Sequence, residues 1–143
     1  MKKESKSYKI IVDSNIWISF LIGKNLLGLQ NYIDSQKIKI ITCNEQLTEL
    51  SEVLKKPKLK KYFTKDQISE FFELLDESSD CILISTKSNI CRDPKDNYLV
   101  SLALDSHANF LITGDKDLLD LKKIGHTIVL KYNDFDTFIS DKK

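Results

Sequence analysis

The sequence is sparing with the residues that break, cross-link or bias a chain. Two prolines and four glycines in 143 residues leave no material for a collagen-like, elastic or proline-rich segment. The three cysteines, Cys43, Cys81 and Cys91, form no CxxC pair, and an odd, widely spaced set argues against a disulfide framework or a zinc knuckle. Cys43 and Cys81 lie in apolar runs and read as buried thiols acting as small hydrophobes, which suits a reducing cytoplasm. The two histidines, His107 and His126, have no serine motif around them and read as structural or surface residues. Long apolar runs are missing as well. Ile16 to Ile22 is interrupted by Ser19, far short of the ~20 residues that span a bilayer. Near the start, Ile10-Ile11-Val12 is cut off by Asp13, whereas an export signal needs about 7–15 apolar residues. No Walker loop, no GxGxxG and no GxSxG occurs, so nucleotide cradles and the serine-hydrolase elbow are not expected. Excess charge of one sign is also absent. Lysine and arginine total 22 against 21 acids, a net charge of +1, and bulk charge therefore announces no nucleic-acid partner.

What is present suits an ordered fold. With 41% hydrophobic and 30% charged residues the chain is no disordered polyelectrolyte. At this length a single domain over 1–143 is expected, with 1–7 and 141–143 as flexible tails. Short β-rich runs alternate with helical periodicity. Strands are expected at Tyr8–Val12, Ile38–Cys43, Cys81–Ile84, Phe110–Thr113 and Thr127–Leu130. Helices are expected at 15–22, 26–35, 44–55, 64–77, from Asp93-Pro94 to about His107, 118–122 and 134–140. Leu47, Leu50, Val53 and Leu54 recur at helical spacing. Lys56-Pro57 should end that helix, because the residue before proline is pushed out of the α region. Thr64-Lys-Asp-Gln67 forms a capping-box pattern. Strands alternating with helices imply crossover units and a parallel sheet covered on both faces, an α/β/α sandwich.

Acids gather at one edge of that sheet. In open α/β sheets ligands bind beyond the carboxyl ends of the strands. Asp13 directly follows the first strand, and Asp115 follows Phe110–Thr113 and Gly114. Either alone reads as a turn former or helix cap; two raise the case for function. Asp96 falls at the centre of a helical stripe made by Leu99, Val100 and Ala103, where an acid is costly unless paired or bound to metal. It also fits as an N3 acid behind an Asp93 cap and Pro94, so both readings stand. Glu49 shares a helix face with Glu45 and Glu52, and on the residues alone a solvated face explains all three. Asp13, Asp96 and Asp115 converging on one edge would either shift their pKa values or hold a cation. An oxygen-only set selects hard ions, Mg²⁺ or Mn²⁺, and such a site suits phosphoryl chemistry.

On IIVDSNIWIS, NEQLTELSEVLKKPKLKKY, DPKDNYLVSLAL and FLITGDKDLLDL, in that order and over nearly the whole chain, the sequence resembles PIN-domain proteins, the fold of the toxin ribonucleases of VapC-type toxin–antitoxin modules. The resemblance implies that Asp13, Glu49, Asp96 and Asp115 are metal-binding catalytic acids. It alone moves Glu49 from a solvated face into the site. Asn15 would support the site from the Asp13 turn, and Ser14 keeps the hydroxyl where many relatives have threonine. Thr113 would support the site, Asp117 is a neighbouring candidate to Asp115 of the TGD motif, and Asp93 would either join the site or cap the helix. It further implies a Mg²⁺- or Mn²⁺-dependent endoribonuclease in the cytoplasm, a cognate antitoxin protein and a homodimer.

Lys55, Lys56, Lys58, Lys60 and Lys61 place five positive charges in seven residues beside Tyr62 and Phe63. The run reads either as a solvated loop between helices or as a phosphate-tracking RNA patch beside an aromatic platform. Two other classes are weighed: a non-catalytic RNA- or protein-binding module on the same fold, and a receiver-like Mg²⁺-binding signalling domain. The receiver reading needs an acid pair after the first strand, where Asp13 stands alone, and a phospho-acceptor aspartate ending the central one.

Overall fold

The computed structural model describes residues 7–23, 26–86 and 97–141. Strand β1 (Tyr8–Val12) is followed by α1 (Ser14–Gly23), α2 (Leu26–Asp34), β2 (Ile38–Thr42) and α3 (Asn44–Leu54). A single 3-10 turn (Pro57–Leu59) leads into α4 (Lys65–Ser78) and β3 (Ser79–Cys81). After α5 (Asn97–Ser106) come β4 (Phe110–Ile112), α6 (Lys116–Leu121), β5 (Lys123–Ile124), β6 (Thr127–Leu130) and α7 (Tyr132–Ser140). The strands form one sheet in the order β3-β2-β1-β4-β6-β5. All neighbours pair parallel except β5 with β6.

Side-chain alternation along the central strands divides the interior into two layers. Ile10, Val12, Ile38, Ile40, Phe110 and Ile112 face one way and pack against Trp17, Phe20, Leu50, Leu54, Phe71, Leu75, Phe135 and Ile139 of α1, α3, α4 and α7. Ile11, Ile41, Leu111 and Val129 face the other way, against Leu99, Val100, Leu102 and Ala103 of α5 and Leu118 of α6. The central strands thus bury both faces, which is why they read as unbroken apolar runs rather than alternating ones. Each fully buried isoleucine or leucine contributes about 1.5–3 kcal/mol.

Local signals act where expected. Thr64 and Gln67 make a reciprocal capping box at the start of α4. Lys56 is extended ahead of Pro57, and α3 stops at Leu54. Three features differ from the sequence reading. The third strand pairs at 79–81 rather than 81–84, because its neighbour among the described residues, β2, ends at Thr42 and gives way to α3. The period-2 pattern nevertheless continues past the ladder, with Ile82 and Ile84 half-buried and Leu83 85% exposed. As a consequence Cys81 sits on an exposed edge, contrary to the buried thiol expected; Cys43 is buried. Finally, β5 is unanticipated. It is a two-residue strand folded onto β6 through Gly125-His126, and Gly125 has φ +59, a conformation open to glycine at little cost.

Ser7, expected in the N-terminal tail, donates its hydroxyl to the Gln36 carbonyl at 2.6 Å. The rest of that tail, residues 142–143, Cys91 and the expected helix start at Asp93–Asp96 lie outside the described residues.

Candidate active site

The strand order reverses at β1. From β1 the chain moves outward through β2 to β3, then returns to place β4 on the other flank of β1. The carboxyl end of β1, between β2 and β4, is therefore the crevice where an open α/β sheet binds ligand. Asp13 stands there. Its backbone N–H donates to the Ile112 carbonyl at 2.9 Å, and its carbonyl accepts from Ile16 and Trp17 at 2.9 and 3.1 Å. The carboxylate is thereby held at the start of α1. One oxygen accepts the Thr113 hydroxyl at 2.7 Å and the other the Asn15 backbone N–H at 3.3 Å. Only 5% of Asp13 is exposed. Burial pushes its carboxyl above the ordinary aspartate value; the Thr113 and Asn15 hydrogen bonds oppose this, while the negative charges of Glu49 and Asp115 add to it.

Glu49 projects from α3 toward the same place. It is half-buried, while Glu45 and Glu52 on the same helix face are exposed. The Tyr98 hydroxyl from α5 donates to the Glu49 Oε1 at 2.6 Å and lies 3.1 Å from the Ser14 Oγ. Burial, and then the bond to Glu49, hold the Tyr98 phenol well above its usual range. Beneath this pair lies Gln46, wholly buried. Its Oε1 accepts the Thr42 hydroxyl at 2.7 Å, and its Nε2 donates to the Val12 carbonyl at 2.5 Å and the Ser14 Oγ at 3.4 Å. The ends of β1 and β2 are thus tied to the first turn of α3.

Asp115 ends the β4 turn and caps α6, accepting the Asp117 backbone N–H at 2.9 Å. The Asp115 N–H donates to the Thr113 Oγ at 3.0 Å, so Thr113 joins the two acid-bearing turns. Asn15 contributes its backbone N–H; its side chain is exposed, and Asp117 is half-buried. The structure therefore brings Asp13, Glu49 and Asp115 within electrostatic reach of one another. It does not draw them into a closed cage: among the described residues no three Asp, Glu, His or Cys side chains converge closely enough to hold an ion. Asp96 and Asp93 lie outside the described residues. The donor chemistry nonetheless fits a hard divalent cation: Asp13 is a buried carboxylate whose charged influences are both acidic, and a small oxygen-seeking ion is the counter-charge such a group favours.

All five lysines of the run, Lys55, Lys56, Lys58, Lys60 and Lys61, are exposed around the 3-10 turn. Tyr62 is 45% exposed, and the Lys61 ammonium stands 5.2 Å from its ring centroid. Phe63 is buried in the core and offers no surface for stacking. A cleft of about 350 Å³ is lined by Glu45, Thr48, Glu49, Glu52, Val53, Lys56 and Tyr98, so that Glu49 and one lysine of the run share a cavity. Both histidines are exposed, and no described helix is long and apolar enough to cross a membrane.

Sequence reasoning missed Gln46 and Tyr98. Gln46 left a trace, a polar residue four positions before Leu50 and eight before Leu54 on the buried side of α3. Tyr98 left none, since its contacts join positions 49 and 84 residues away.

The PIN domain family model matches residues 9–117 of the chain. The uncharacterized protein MJ1680 of Methanocaldococcus jannaschii is 34% identical over 124 residues, covering 85% of this chain and 79% of that protein. Two solved structures share the fold. One is PAE2754 from Pyrobaculum aerophilum, with a TM-score of 0.61 and 14% identity, covering 94% of this chain and 97% of that one. The other is a chain of VapBC2 from Rickettsia felis bound to a DNA fragment from their promoter, with a TM-score of 0.56 and 19% identity, covering 86% of this chain and 98% of that one.

Proposed function

The chain belongs to the PIN-domain family, and from that premise we propose that it is a metal-dependent endoribonuclease, the toxin of a toxin–antitoxin module. The observation that carries the reading is the setting of Asp13: a carboxylate 5% exposed at the strand-order reversal, with Glu49 and Asp115 both adding negative charge to it. Asp13, Glu49, Asp96 and Asp115 would hold Mg²⁺ or Mn²⁺. When bound, such an ion polarises a phosphodiester and makes water a competent nucleophile near neutral pH.

The chain's own residues do the rest. Thr113 and the Asn15 N–H fix both oxygens of Asp13, so the carboxylate loses little freedom when it engages a ligand. Ser14 supports the same turn, and Asp117 supports Asp115 through its N–H; the family reading gives Asp93 a role either in the site or as a helix cap. The exposed lysines from Lys55 to Lys61 attract the phosphate backbone, and Tyr62 presents a ring face for a base. The cleft that Glu49 and Lys56 both line supports a path for RNA from the lysines to the acid edge. No side chain is required as a covalent nucleophile. The likeness to VapBC2 supports a cognate antitoxin as part of this reading, and a homodimer and a cytoplasmic location are proposed with it.

The test is cleavage of mixed RNA with Mg²⁺ or Mn²⁺, with EDTA, and by Asp13→Asn. Loss of cleavage with EDTA and with the substitution is expected. Cleavage that survives either points to a contaminating nuclease and removes the assignment, and RNA binding without turnover favours the non-catalytic module.

A further inference from the structure

Resting on the ribonuclease reading above, we propose that Tyr98 is a positioning residue that sets the Glu49 carboxylate against the Asp13 turn. Glu49 has three side-chain torsions and lines a cleft that Lys56 also lines. Among the described residues, the Tyr98 hydroxyl is the donor that reaches its carboxylate, at 2.6 Å. A phenol has one proton. With that proton given to Glu49, the 3.1 Å contact between the Tyr98 oxygen and Ser14 Oγ must be a bond donated by Ser14. Ser14 in turn accepts from Gln46 Nε2 at 3.4 Å, and Gln46 is anchored on the Val12 carbonyl at 2.5 Å.

The direction of donation is therefore consistent along the whole brace. It starts at Gln46 and runs through Ser14 and Tyr98 to Glu49. It joins the end of β1, the first residue of α1, the middle of α3 and the second residue of α5. Its rigid end is buried: Gln46 is 0% and Ser14 3% exposed. Its free end is the one carboxylate of α3's acidic face that is not exposed. The phenol holds Glu49 where its charge reaches Asp13. Partners of this kind, one step removed from an ion, typically change metal affinity or activity about 10–100-fold when lost.

Mn²⁺ is the probe. Its binding is titrated by electron paramagnetic resonance, and RNA cleavage is measured in parallel, for wild type, Tyr98→Phe, Glu49→Gln and the double variant. Tyr98→Phe should weaken Mn²⁺ binding roughly tenfold and lower kcat comparably, with KM changed less than about twofold. In the Glu49→Gln background the same substitution should change Mn²⁺ affinity by less than about twofold, because the amide oxygen still accepts the phenol proton but the charged carboxylate that would bind the ion is gone. Unchanged affinity in Tyr98→Phe, or an equal loss with and without Glu49, overturns the role. If Tyr98→Phe fails to fold, Ser14→Ala reads the brace from its other end: a loss of about threefold supports it and no loss overturns it. Wild-type protein that binds Mn²⁺ but leaves RNA intact sinks the ribonuclease reading, and the Mn²⁺ comparison still decides Tyr98. Wild-type protein that does not bind Mn²⁺ overturns both.

Discussion

Replacing Gln46 with leucine keeps nearly the same volume and removes only polarity. The residue is wholly buried, so water cannot substitute for what it bonds. Two strong bonds vanish: the acceptor of the Thr42 hydroxyl at 2.7 Å and the donor to the Val12 carbonyl at 2.5 Å. The longer 3.4 Å bond to Ser14 orients that hydroxyl more than it stabilises the fold, and adds little to this cost. A buried partner left unpaired costs about 1–3 kcal/mol, while leucine recovers some apolar transfer energy. The net loss is roughly 2–4 kcal/mol. At about 3 °C per kcal/mol for a chain of this size, the melting temperature should fall by roughly 6–12 °C. Thermal unfolding followed by circular dichroism measures it. The discriminating arm is Thr42→Val/Gln46→Leu, which removes both members of one bond and should recover about 1–2 kcal/mol of the loss. A single variant within about 0.5 kcal/mol of wild type, or a double variant as unstable as the sum of its parts, refutes the reasoning.

Three further outcomes are expected. Asp13 binds its proton more tightly in the folded protein than in the unfolded chain. The stability this supplies is complete below the unfolded value of about 3.9 and is lost as pH rises through the raised folded value. At pH 7 without metal, Asp13→Asn should therefore be more stable than wild type, with the advantage fading below about pH 4; a less stable variant in urea melts at pH 7 contradicts the burial cost. Native alkylation followed by peptide mass spectrometry should label Cys81, which is exposed, and spare Cys43, whose thiol burial pushes up to about 12; equal labelling would refute the assignment of the two environments. Changing Lys56, Lys58 and Lys60 to serine should weaken RNA binding and reduce the slope of log affinity against log salt by about 2; an unchanged slope places the RNA elsewhere.

The fold was legible wherever burial acts on both faces of a strand. Ile10-Ile11-Val12 and Phe110–Ile112 read as unbroken runs because both core layers claim them. Asp13 and Asp115 were legible for the same reason: the end of a buried strand fixes where the next residue must stand. The edges were less readable. At β3 the pairing is set by where β2 stops, which no feature of Cys81–Ile84 records. At β5 two residues pair only because Gly125 turns the chain back onto β6. Within the site, helix periodicity put Glu49 with Glu45 and Glu52, and family likeness alone singled it out. What separates Glu49 physically is a phenol 49 positions away, and no local pattern in α3 can report a contact made by another helix.

The central position of β1 also orders events in time. Asp13 and Thr113 are bonded across 100 positions, and β1 is flanked on one side by β4. A nascent chain makes Asp13 early but has no Thr113 to hold it until most of the protein has been synthesised. At about 5–20 residues per second that interval is roughly 5–20 s, during which the β4-facing edge of β1 has no partner. Native pairing over so long a separation is slow to form. A chain truncated before β4 would carry Asp13 and Glu49 without the strand and hydroxyl that hold Asp13 in place, so the acid edge belongs to the finished protein and not to its fragments.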